Sequence, residues 1–186
     1  MSTFTDFYLR GGTDYKGRTL SDIILLTDEE LEKSHDVIQW MFPLNEPSRF
    51  HLDAPVLTAE DINELRDTTQ NGWVVYKTAL SRFMSFLGME KFESRYVPGP
   101  DFEEKSKNWL HPHNHNMKRI TRVIRCAIIM GRDDFARILC NSFSELTKHP
   151  FGKYNIEIET LKYWQDAVDF PLDAELNVLT NRVQRL

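Results

Sequence analysis

Thr58-Ala59-Glu60-Asp61-Ile62-Asn63-Glu64-Leu65 opens the stretch that decides the fold. From there Ile62, Leu65, Thr69, Trp73, Tyr76, Leu80, Phe83, Met84 and Leu87 fall within one arc of a helical wheel, the period of an α-helix with one buried face. Thr58 and Asp61 form a capping pair at its start, and Gly88 is placed to close its end. The pattern predicts a helix of about thirty residues, roughly 45 Å long at 1.5 Å rise per residue. Asn71-Gly72 is the weak point. Glycine inside a helix costs about 1 kcal/mol against alanine and Asn-Gly favours turns, so two helices joined there are the alternative.

The same punctuation recurs on either side. Thr27 followed by Asp28, Glu29 and Glu30 caps a helix that ends by Pro43, with Leu31, Ile38 and Phe42 in one direction. Trp40 points the other way and needs a second partner, either the Pro43 to Pro55 segment folding back or a ligand. Residues 89–113, with Pro98-Gly99-Pro100 and a polar mixture, read as a long loop. Asn114 or Asn116 then caps a helix carrying Ile120, Val123, Ile124 and Ala127 and stopped by Gly131. Asp133 caps the next, with Phe135, Ile138, Leu139, Ser142 and Leu146 inward, and a further helix from Ile156 to Val168 presents Leu161, Trp164 and Val168. No β-rich block competes. The expected fold is all-α: a single compact multi-helix domain of about six to eight helices, with a long central helix and antiparallel pairs.

That domain is expected over residues 1–170. After Pro171, Leu172, Leu176, Leu179, Val183 and Leu186 alternate steps of four and three. Residues 171–186 therefore read as an amphipathic helix that docks on the domain or on a partner, a homodimer included.

Composition sets the partners. Of 186 residues 41% are hydrophobic, with twelve Phe and four Trp, enough for a substantial core. A formal charge of −5 argues against nucleic acid or anionic lipid, which require an excess of Lys and Arg. No apolar run approaches the roughly 20 residues of a transmembrane helix, and Met1 to Arg10 has no secretory pattern, so the expected location is cytoplasmic. Cys126 and Cys140 sit in apolar helical patterns without a CxxC, which suits buried, reduced thiols.

The chemistry-bearing residues cluster near position 115. His111, His113 and His115 alternate, so an extended segment would turn three imidazoles to one side, a weak signal for a transition-metal site that still needs a fourth ligand. The competing role is to anchor the start of the following helix. Lys118, Arg122 and Arg125 share an arc of that helix, flanked by Arg119, and beside its N-terminus they would suit a carboxylate or phosphate. Solvated or ion-paired arginines on a surface helix are the alternative. No GxSxG elbow, HExxH helix or P-loop is present, so no catalytic residue and no cofactor is assigned, and the chain leans away from an enzyme.

Three blocks carry a family likeness: Gly17-Arg18-Thr19-Leu20; His35-Asp36-Val37-Ile38-Gln39-Trp40-Met41-Phe42-Pro43, running on through Pro47-Ser48-Arg49-Phe50 and Asp53-Ala54-Pro55-Val56-Leu57; and His113-Asn114-His115-Asn116 with Arg119-Ile120-Thr121-Arg122-Val123-Ile124-Arg125. Together these resemble the globular domain of the opioid growth factor receptor family, over roughly Tyr15 to Val168. The resemblance implies an all-helical domain that binds a short peptide, the pentapeptide Met-enkephalin in the animal receptor, with a nuclear or perinuclear location if the source is eukaryotic. The chain carries neither the long polar repeat tail nor the basic localisation signal of that receptor, and so reads as a stand-alone member. The expected function is a soluble binding module for a short peptide or anionic small molecule, with Gln39, Trp40, His113, His115, Asn116, Arg119 and Arg122 as ligand contacts. The alternative is a metal- or histidine-dependent enzyme using His111, His113 and His115 beside the arginines.

Overall fold

The Thr27 and Thr58 hydroxyls each accept the backbone N–H three residues on, while Glu30 and Asp61 reach back to the capping N–H, so both foreseen capping boxes are built. Thr19 and Asp22 form a third. The computed structural model describes residues 3–48, 51–67, 69–153 and 155–169, and the chain divides into two compact units, Met1–Arg82 and Phe83–Leu186. Ten α-helices lie among the described residues, and none is long and apolar enough to cross a membrane.

The first unit holds α1 (Thr3–Arg10), α2 (Leu20–Ile24), α3 (Asp28–Lys33), α4 (Val37–Met41), α5 (Ala59–Arg66) and most of α6 (Gly72–Leu87). The expected helix from Thr27 to Pro43 is two, because Ser34 takes extended angles and the chain turns before Val37. Asp36 sits at that turn and takes the Tyr15 hydroxyl at 3.0 Å, Arg18 Nη2 at 2.6 Å and Lys16 Nζ at 2.9 Å. Burial disfavours its charge, but hydrogen bonds from Lys16, Arg18 and Tyr15 outweigh burial and hold the carboxyl well below the usual carboxylate range.

The thirty-residue helix is likewise two, the alternative noted at Asn71-Gly72. Asn71 has a left-handed φ of 61°, and an added Cβ on Gly72 would lie 2.3 Å from the Leu65 carbonyl oxygen. Only glycine lets the start of α6 approach the end of α5 so closely. The core of this unit gathers Phe7, Ile23, Leu31, Met41, Phe42, Leu65 and Tyr76.

In the second unit, β1 (Met89–Phe92) and β2 (Arg95–Pro98) form an antiparallel hairpin, followed by α7 (Phe102–Trp109), α8 (His115–Ile129), α9 (Asp133–Glu145), a 3₁₀ turn (Leu146–Lys148) and α10 (Ile158–Asp169). The long loop expected over residues 89–113 is thus a hairpin and a helix. Glu93 supplies the left-handed φ of 53° that turns the hairpin without a glycine. Gly88, with φ 76°, closes α6, and a Cβ there would meet the Phe102 Cα at 2.8 Å. Gly131, φ 69°, separates α8 from α9 as its spacing implied. The α9 core face is Ala136, Leu139, Cys140 and Phe143, while Phe135 and Ile138 are half-buried. Arg137 to Asp169, Cys140 to Gln165 and Phe143 to Trp164 pair in reverse order, so α10 runs antiparallel to α9. Residues 171–186, with the Leu172 to Leu186 seam, lie outside the described residues.

Candidate functional site

In the hairpin register Lys91 faces Tyr96 and Met89 faces Pro98. Tyr96 donates its N–H at 3.0 Å to Ser142 Oγ on α9 rather than across to β1. Pro98 has no N–H to offer. The outer edge of β2 is therefore fastened to α9 and closed to a further strand.

Between β2 and α9 runs an open groove of about 900 Å³ that ends at the 3₁₀ turn. Val97, Pro98, Ile138 and Leu146 give it an apolar lining, and Arg95, Asn141, Ser144, Glu145, Lys148 and His149 add polar groups. The turn that closes the groove depends on Gly152, whose N–H donates to the His149 carbonyl at 3.0 Å and whose added Cβ would fall 1.9 Å from the Leu146 carbonyl oxygen.

The cations of the groove are not equivalent. Lys148 is held by both Glu145 oxygens, at 2.7 and 2.8 Å. The Arg95 guanidinium lies 5.9 Å over the half-exposed Phe92 ring, with no carboxylate paired to it among the described residues. His149 Nδ1 accepts the Phe151 N–H at 3.3 Å, which places the proton of the neutral ring on Nε2, and its ring meets Phe102 edge-on at 5.1 Å. Burial pushes the Tyr96 hydroxyl above its ordinary pKa, so it stays protonated at neutral pH. Donors around an apolar lining suit a small ligand or short peptide with an anionic group, in a volume typical of ligand pockets.

The residues singled out by sequence fall in both units. Gln39 is buried, and its amide nitrogen, oriented to satisfy its neighbours, donates to the His35 and Asp36 carbonyls at 3.1 and 2.8 Å, stitching the turn between α3 and α4. Trp40 has the packed partner it needs, but that partner is the N-terminal region: Phe7 meets it edge-on at 4.8 Å, and Phe4 and Tyr15 lie at 6.2 and 6.4 Å. Its buried indole N–H finds no acceptor among the described residues.

In the second unit Asn114 is the cap of α8 and accepts from the Asn116 N–H at 2.8 Å. Arg119 is buried and donates to Asn116 Oδ1 at 3.1 Å. Arg122 is half-buried and Lys118 exposed. The three imidazoles do not share one side. His111 Nε2 sits 2.9 Å from the Asn114 amide nitrogen, His113 is exposed with a left-handed φ of 61° and lies 3.4 Å from Glu157, and His115 is in the first turn of α8. The left-handed residue breaks the extended alternation on which a common side depended. Among the described residues no three His, Cys, Asp or Glu side chains come together to hold a metal.

Sequence marks Ser142 only as part of the inward stripe of α9, and it does not single out Arg95, Tyr96 or His149. The only signal was weak: two four-residue runs, Met89-Glu90-Lys91-Phe92 and Arg95-Tyr96-Val97-Pro98, about a two-residue turn.

The model of the opioid growth factor receptor (OGFr) conserved region matches residues 24–173, which include the whole groove. Opioid growth factor receptor-like protein 1 of Xenopus tropicalis is 30% identical over 124 residues, 62% of this chain and 22% of that protein. The opioid growth factor receptor of Mus musculus is 27% identical over 142 residues, 74% of this chain and 22% of that protein. The chain thus spans less than a quarter of the length of the relatives it matches. No solved structure matches it at a significant level.

Proposed function

The chain belongs to the opioid growth factor receptor family, and on that premise we propose that it is a binding module that holds a short peptide or an anionic small ligand in the groove between β2 and α9. One observation carries the reading: Arg95, a cation with no carboxylate partner among the described residues, lies beside an apolar groove of about 900 Å³. A ligand carboxylate would pair with the guanidinium while its apolar part replaces water on the half-buried Val97, Pro98 and Ile138. Gln39, Asn116 and Arg119 spend their hydrogen bonds inside the fold. Of the other residues singled out from sequence, His113 is exposed and His115 and Arg122 are half-buried. A cytoplasmic role fits two free, buried thiols, which suit a reducing compartment.

Calorimetric titration tests the proposal, with Met-enkephalin and its C-terminal amide as probes. An ion pair at the exposed Arg95 contributes about 0.2–1 kcal/mol, so Arg95→Ala is expected to weaken the acid by up to about fivefold. The amide should bind the unsubstituted protein about as weakly. Absence of binding, or equal affinity in Arg95→Ala, would overturn the assignment.

A further inference from the structure

We propose that residues 171–186 of this same chain occupy the groove between β2 and α9 and compete there with the ligand. The competition rests on the function proposed above; the docking stands on separate observations.

The first is where the chain emerges. Antiparallel α10 ends at Asp169, whose carboxylate lies 3.8 Å from Arg137 Nη1 near the start of α9. Ile138 and Asn141, within about one helical turn of Arg137, already line the groove. Reach is ample. Beyond Asp169 lie 186 − 169 = 17 residues, able to span up to roughly 55 Å extended, whereas α9 in its full length is only about 20 Å long.

The second is chemical fit. Leu172, Leu176, Leu179, Val183 and Leu186 bring apolar side chains at steps of four and three, and the groove presents Val97, Pro98 and Ile138. Asp173 and Glu175 stand between the first leucines, and Arg95 has no acidic partner among the described residues. One segment therefore supplies both the apolar anchors and a carboxylate for Arg95, the acid of the groove itself, Glu145, being paired with Lys148. An occupant tethered within reach acts at a high effective concentration, so modest contacts suffice to hold it.

The test uses the full chain with a nitroxide attached at Leu176→Cys, Cys126 and Cys140 being buried. Strong paramagnetic broadening of the Val97, Ile138 and Leu146 amides is expected, and Leu172→Ser with Leu179→Ser should relieve it. Broadening absent from these amides overturns the docking. Broadening seen only when spin-labelled chains are mixed with separate isotope-labelled chains assigns the groove to a second copy and overturns the intramolecular form. The competition is read separately, by titrating Met-enkephalin into the unlabelled Leu172→Ser, Leu179→Ser chain. If the tail fills the groove about nine-tenths of the time, affinity should rise about tenfold. Unchanged affinity with the broadening present removes the competition and leaves the docking. Broadening with no peptide bound by either protein overturns the ligand reading alone.

Discussion

Asp36 gathers three donors, Tyr15, Lys16 and Arg18, on one carboxylate oxygen. Its folded pKa is depressed, so its contribution to stability is complete above the unfolded value of about 3.9 and fades as pH falls toward the folded value. Asp36→Asn should cost about 1–2 kcal/mol at pH 7, discounted because Lys16 is half-exposed. In urea titrations the difference from the unsubstituted protein should shrink steadily from pH 5 to pH 2; a constant difference would assign the loss to packing. Sequence showed that Trp40 needed a partner, because its direction differs from that of Leu31, Ile38 and Phe42. It did not show that Phe4 and Phe7 supply one, since more than thirty residues separate them and local periodicity carries no such pairing.

At the scale of elements, the starts of helices were legible and their breaks less so. Capping boxes are local, built from residues three apart, and Thr27 and Thr58 act as their neighbours imply. The division between α5 and α6 depends on a close approach of backbone to backbone that Asn71-Gly72 only hints at. Gly72→Ala makes the point measurable. Helix propensity alone favours the alanine by about 1 kcal/mol, yet its Cβ would lie 2.3 Å from the Leu65 oxygen. Overpacking of this kind costs about 1–3 kcal/mol, so thermal unfolding should show a net loss. A gain would mean that α5 and α6 can move apart freely. The hairpin is hard to read from sequence for a different reason: each strand has four residues, Glu90 and Lys91 are exposed, and the turn residue Glu93 is not a usual left-handed type.

For the whole molecule, the helical class follows from composition and period, but the division into two units does not. It falls between Arg82 and Phe83, inside the continuous stripe of α6, where no glycine or proline marks a boundary. Both cysteines belong to the second unit, and burial pushes both thiols above their ordinary pKa. Native protein should therefore resist a thiol reagent. Labelling along a urea gradient should follow the unfolding of the second unit, and fast labelling without urea would contradict the burial. Gly152 has a use outside the laboratory. Because any side chain there would meet the Leu146 carbonyl, a chain of this family that carries another residue at the corresponding position must have rebuilt the turn after α9 and, with it, the end of the groove. One letter of sequence thus becomes a genealogical marker, separating lineages able to keep this pocket from those that have given it up.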